Sequence, residues 1–190
     1  SWLFGWGEGS LIDEFEKINK FLEFAEQYFY KYTNKLLPLE KNKDLISSFD
    51  ECLLPIASHD TNGFFNYLNK AALSLFKVTK DQVMGRSTTI TAPKSEQKQR
   101  NELLNQVNSH GFIDNYKGIR VSSDGELFQI EDATIWNVID KNSHKIGQAV
   151  IIYKSNKLWK KTLPLKYYLQ VWQVLLLSSL IFISMQTQLF

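Results

Sequence analysis

Between residues 11 and 36 the apolar positions recur at alternating steps of four and three: Leu11, Phe15, Ile18, Leu22, Ala25, Phe29, Tyr32 and Leu36. That spacing keeps one face of a helix apolar. Phe21, Phe24 and Tyr28 widen the stripe, while Glu16, Lys17, Glu23, Glu26 and Lys31 fall mostly off it. Ser10 has the chemistry of an N-cap, with Asp13 and Glu14 in the first turn. Pro38 cannot continue a helix. The pattern predicts an amphipathic helix over residues 10–37. Its stripe packs either on its own domain or on a partner helix.

A polar connector, "PLEKNKD", follows, and residues 38–50 are expected to be linker. Beyond it the apolar runs are short. "LLPIAS" and "FFNYL" have the length and composition of strands. Residues 70–76 and 80–84 read as short helices, with "GRSTTITAP" as a loop after them. Residues 95–108 form a longer helix, apolar at Leu103, Leu104 and Val107 and followed by Gly111. From Phe112 the period becomes two. "FIDNYKGIRV", "ELFQIEDATIWNVI" and "IGQAVIIY" predict three strands, with hairpin turns at "SSDG" and "DKNS". The second strand has to leave the sheet abruptly, and Asn69-Lys70 is where it turns. The expected fold class is α+β: a five-stranded antiparallel sheet over residues 51–153 with short helices on one face. A cavity between helices and sheet is the natural ligand site in such an arrangement. Tyr67, Tyr116 and Trp136 are candidate lining residues. Packing in the core or on a sheet face is the competing reading for Tyr116 and Trp136.

The two ends carry different patterns. Residues 1–9, "SWLFGWGEG", hold three glycines and three exposed-type aromatics, Trp2, Phe4 and Trp6. An arm of this kind docks on a partner or folds back on its own domain. The chain opens on Ser1, as a trimmed product would. Residues 154–166 contain Lys154, Lys157, Lys160, Lys161 and Lys166 and no acid. Residues 167–185 then carry no charge, long enough for the roughly 30 Å of hydrocarbon that about 20 residues cross. Tyr167, Tyr168 and Trp172 would sit at one interface, with the lysines just outside it. Gln170 and Gln173 would lie in the headgroup zone or face another helix. The expectation is a transmembrane helix with the folded domain on the lysine side and a tail at 186–190. A helix buried in a soluble partner is the alternative.

Composition narrows the chemistry. The 190 residues are 44% hydrophobic and 14% aromatic, enough for a packed core. A net charge of +2 gives no basic surface of the kind nucleic acid demands. Arginine occurs only at positions 86, 100 and 120, which argues against bidentate phosphate reading. One cysteine, Cys52, excludes an intrachain disulfide and a multi-cysteine metal site. His59, His110 and His144 lack metal spacing. Ser58-His59-Asp60 holds triad residue types, but consecutive strand residues point to alternating faces. Glu131 and Asp132 face opposite ways for the same reason. A turn at the strand end is the expected role for 58–60. A light-sensing flavin site would need a reactive cysteine in "GRSTTITAP", and Cys52 lies upstream on another element.

The stretch "FFNYLNKAALSLFKVTKDQVMGR" resembles the pattern of PAS domains, and "SSDGELFQIEDATIWNVIDKNSHKIGQAVIIY" resembles their terminal hairpin. "PIASHDTNGFFNYLNKAALSLF", "GFIDNYKGIRVSSDGELFQIEDATIWNVID" and "GQAVII" are similar to the MEKHLA family, a PAS-related group of plants and bacteria. The resemblance covers roughly residues 51–153. It implies a sensory or interaction module without a settled ligand; the misplaced cysteine and scattered histidines lead us to expect no intrinsic cofactor. The favoured expectation is a non-enzymatic interaction module tethered to a membrane, contacting partners through Trp2, Phe4, Trp6, Phe15, Phe29, Tyr168 and Trp172. The resemblance to cyanobacterial relatives and the lysine-rich composition extend this to an accessory subunit of a thylakoid photosystem supercomplex, facing the cytosol or stroma, with pigment or lipid contacts. The alternative is a small-molecule sensor.

Overall fold

The computed structural model describes residues 8–158. The long helix α1 runs Glu8–Thr33. It starts earlier than Ser10, and it ends before Pro38 is reached. Asn34 takes a left-handed φ of 56°, which a short polar side chain tolerates and a helix interior does not. The apolar stripe is used unevenly. Leu22, Ala25 and Phe29 are each 1% exposed, whereas Phe15 is 57% and Leu36 65% exposed. The connector is not all linker: residues 45–50 form a short helix, α2 (Leu45–Asp50). Asp44 caps it by accepting the Ser47 N–H at 3.0 Å. Phe49 on α2 is fully buried.

Strands β1 (Ile56–Asp60) and β2 (Phe65–Leu68) form the first antiparallel pair. Asn69 then turns the chain. Its side chain accepts the Ala72 N–H at 2.9 Å and so caps α3 (Lys70–Phe76). It also accepts the Ile56 N–H at 2.9 Å and donates to the carbonyls of Phe49, Cys52 and Leu54 at 3.1, 3.2 and 2.9 Å. One fully buried amide thus ties α2, β1 and α3 together. α4 (Lys80–Val83) follows, the stretch read as loop contains a 3-10 turn, Thr88–Thr91, and a second, Lys94–Glu96, stands where the start of the longer helix was expected. α5 is Gln97–His110.

"FIDNYKGIRV" is not one strand. It divides into β3 (Phe112–Ile113) and β4 (Gly118–Val121), both paired antiparallel with β5 (Leu127–Ile139). Asn115, at φ 55°, breaks the pleat between them. The sheet therefore has six strands in place of the expected five. β6 (Lys145–Lys157) completes it, and the order is β2-β1-β6-β5-β3, with β4 further along β5. Both hairpin turns lie where turn chemistry placed them. Gly125 has φ 81°, and Asp140 accepts the N–H groups of Asn142 and His144, each at 2.8 Å.

The β5–β6 ladder is irregular in two places: near the turn, where Val138 pairs with Gly147 and Ile139 with Lys145, and further out, around Asp132 and Lys154. Ile130 pairs with Ser155 and Ala133 with Ile152, while Glu131 and Tyr153 have no direct partner across it. Alternation along the sheet feeds two cores. On one face Trp136, Val138, Ala149 and Ile151 pack with Phe21, Leu22, Ala25 and Phe29 of α1 and with Phe49. On the other, Ala57, Phe65, Ile135 and Ile152 pack with Ala72, Phe76, Val83 and Val107 of α3, α4 and α5. Helices therefore cover both faces, not one. Among the described residues no helix is long and apolar enough to cross a membrane. The run at 167–185, with Tyr168 and Trp172, and the arm with Trp2, Phe4 and Trp6 lie outside the described residues.

Candidate functional site

The second core is not filled. Between α3, α5, the first 3-10 turn and the inner face of the sheet lies a cavity of about 80 Å³. At roughly 10–15 Å³ for each water held, it takes a handful of waters or a molecule of a few heavy atoms. Phe65, Phe76, Ile135, Val150 and Ile152 give it apolar walls. Two arginines interrupt them. Arg100 on α5 and Arg120 on β4 are each only 8% exposed, and both line the cavity.

The local sequence explains why these arginines point inward. Arg100 stands three, four and seven residues before Leu103, Leu104 and Val107, so it shares their helix face. Its Nη2 donates to Thr88 Oγ1, and its Nη1 donates to Asn101 Oδ1 at 3.3 Å. Arg120 donates from Nη1 to the Ile119 carbonyl at 2.7 Å and from Nη2 to the Tyr116 hydroxyl. Its guanidinium also lies 5.4 Å from the Tyr116 ring centre, a cation–π contact. Each guanidinium has five N–H donors and uses two here.

Among the described residues neither arginine has a carboxylate within ion-pair distance. Glu96 borders a neighbouring cleft with both of them and pairs with neither. Burial, and then the positive charge of Arg120, lower the Arg100 pKa to about 10. His59 also lines the cavity. Burial holds its imidazole below the ordinary value, and Arg100 and Lys145 push the same way against the pull of the Asp60 carbonyl. The interior of this cavity is electropositive. At one end Gln148, 2% exposed, donates to Asn137 Oδ1 and Asn108 Oδ1, both at 3.0 Å.

The three aromatic candidates divide between the cores. Tyr116 lines the cavity. Trp136 does not: it is fully buried against α1, where its ring meets Phe29 at 4.9 Å. Tyr67 is likewise in the α1-side core, its hydroxyl donating to Asp50 at 2.8 Å. Burial and then this bond raise its pKa strongly. Phe29, expected at a partner surface, is internal for the same reason, while Phe15 stays exposed. Ser58, His59 and Asp60 are not a relay. Ser58 donates to Asn66 at 2.6 Å, and Asp60 accepts from Asn62 and Phe64 in the turn. Cys52 is buried in the α1-side core, and burial raises its thiol pKa. No cysteine lines the cavity. Among the described residues no group of three or more His, Cys, Asp and Glu could hold a metal ion.

This architecture, a β2-β1-β6-β5-β3 antiparallel sheet with short helices over a cavity, is the PAS fold. The chain is similar in structure to the PAS domain of a protein from Colwellia psychrerythraea, with a TM-score of 0.53, 19% identity, and coverage of 61% of this chain and 95% of that one. It is similar also to an RNA-binding light-oxygen-voltage receptor, with a TM-score of 0.51, 14% identity, and coverage of 60% of this chain and 32% of that one. At these identities the likeness is one of fold. The sequence matches the model of the MEKHLA domain over residues 23–157, and the chain belongs to the MEKHLA domain family. The match begins inside α1 and ends on the last residue of β6, so it takes in more than the 51–153 core. Among curated proteins there is no match.

Proposed function

We propose that this MEKHLA domain is a non-enzymatic sensory module whose cavity holds a small molecule. One observation carries the reading: a cavity with converging polar groups and apolar walls lies between the short helices and the inner face of the sheet. Protein interiors leave few such spaces, and a site for a ligand is concave, largely apolar and furnished with a few placed donors. Strand β6 supplies Gln148, Val150 and Ile152 to the wall, and its chain continues into residues 159–190. Occupancy would alter the packing of β6 and be felt beyond it.

The test is native mass spectrometry of the full chain before and after incubation with a small-metabolite extract, with amide exchange read on β6. We expect an added small mass and slower exchange over β6, both lost in Val150→Trp, which fills the cavity. An unchanged mass and unchanged exchange would overturn the reading.

A second reading, an interaction module tethered through residues 167–185 to a membrane complex such as a thylakoid photosystem, is favoured by one feature of the surface. Ile12 and Phe15 are each 57% exposed on α1. Deleting residues 167–190 should release the protein from membranes. Retention of the full chain in the soluble fraction without detergent would remove this reading.

A further inference from the structure

Arg100 and Arg120 are two of the three arginines in the chain, and they meet in one buried space. Guanidinium does not deprotonate to escape burial. Taking a charge out of water costs several kcal/mol unless an opposite charge compensates it, and a second like charge beside it adds to that cost. Among the described residues no acid compensates either of them. They face a void, each with unused N–H donors. A fold that holds two like charges in the wall of one cavity is electrostatically complementary to an anion placed there.

The walls and the volume select the anion. A planar carboxylate matches the planar fork of a guanidinium. A phosphate brings more charge and more acceptor oxygens, which the apolar side of the cavity would leave unpaired. Phe65, Ile135, Val150 and Ile152 instead offer contact to a short hydrocarbon tail. About 80 Å³ limits that tail to a few carbons.

We propose that the cavity is a site for a short-chain monocarboxylate, its carboxylate held jointly by Arg100 and Arg120 and its tail against the apolar wall of the sheet. The Thr88 and Tyr116 hydroxyls, already bonded to the two guanidiniums, hold them in place. This ligand class rests on the sensory reading above, and the experiment separates the two.

The measurement is a binding isotherm on the full chain at fixed ionic strength. The probes are acetate, propionate and butyrate, with propionamide, inorganic phosphate and chloride as comparators. We expect saturable binding of propionate at least tenfold tighter than any comparator. Arg100→Gln and Arg120→Gln should each weaken it at least tenfold, and Arg100→Lys, which keeps the charge and loses the fork, should weaken it less. The propionate–propionamide comparison uses only the unaltered chain and stands even if the glutamine variants do not fold. Propionamide binding as tightly as propionate would overturn the carboxylate assignment and leave the sensory reading intact. Phosphate or chloride binding as tightly would replace it with a general anion site. Binding of none of the probes, together with an unchanged native mass, would overturn both.

Discussion

The indole N–H of Trp136 donates a 2.9 Å hydrogen bond to the carbonyl of Ala25, 111 residues earlier, and so ties the centre of β5 to the middle of α1. Phe29, one turn further along the helix, meets the same ring edge-on at 4.9 Å. The two contacts make α1 part of this domain. Trp136→Phe removes the donor and leaves a void beside a helix that cannot collapse far. It is expected to cost about 2–4 kcal/mol. Phe15→Ala, on the exposed end of the stripe, should stay within about 0.5 kcal/mol. Urea denaturation followed by far-ultraviolet circular dichroism measures both. Equal effects would mean that α1 is not held through this face.

Asn69 donates its amide N–H groups to three carbonyls and accepts two N–H groups on its oxygen, all but the Leu54 bond buried. Asn69→Asp keeps the shape but turns a donor toward those carbonyls into a carboxylate. An uncompensated charge of that kind costs about 3–5 kcal/mol. The loss should be largest at neutral pH and shrink as the solution is acidified, because the protonated carboxyl donates again. Stability of the variant that is the same at pH 7 and pH 4, relative to the parent, would contradict this account.

His59 gives a pH signature. Its folded pKa lies below the ordinary 6.5, with burial the main cause. Near pH 6.5 the unfolded chain therefore takes up a proton that the folded chain does not. Stability falls as pH drops through the window between 6.5 and the depressed folded value, and His59 has no effect above it. In carboxylate-free buffer, thermal denaturation of the parent from pH 8 to pH 5 should fall away from that of His59→Gln only below about pH 6.5. Parallel curves over the whole range would show that the imidazole is not buried as described.

Gly111 ends α5 at φ 90°, and a Cβ there would lie 2.5 Å from Tyr32 Cε1. Tyr32 is stacked on Phe112 at 5.7 Å, and yielding would break that contact. Gly125 has a similar φ of 81° with nothing within 4 Å. Gly125→Ala should cost about 1–2 kcal/mol from backbone strain alone. Gly111→Ala adds overpacking and should cost about 2–5 kcal/mol. Chemical denaturation of the two variants separates the contributions. Equal losses would indicate that Tyr32 moves aside freely.

The strands and short helices were legible because their signals are local. Asn69 is a cap by residue type, and Ser122 to Gly125 a turn by composition. Trp136 was left between pocket and core because period two says that neighbours face opposite ways, not which way either faces. The irregular point at Glu131 resets that phase, and no local signal marks it. The split at Asn115 was missed because the flanking residues alternate acceptably on both sides. α2 was hidden by its length, although Asp44 three residues before Ser47 is a cap pattern. The arginine pair was half visible. Their scarcity was plain, and Arg100 sits on the apolar stripe of α5, but only tertiary structure brings Arg120 to the same cavity.

On either side of the Asp132–Lys154 pair, Glu131 and Tyr153 stand outside the β5–β6 ladder, one surplus residue on each strand at this point. The two surpluses cancel, so the pairing is in step on both sides of them. Loss of either alone would slide the outer half of the hairpin by one residue, making partners of side chains that face opposite ways. Loss of both would leave every pair from Ala133 and Ile152 to the turn unchanged. The hairpin thus behaves like a reading frame with a built-in suppressor: in the history of such a domain, a length change at this point of one strand can persist only when the other strand changes with it.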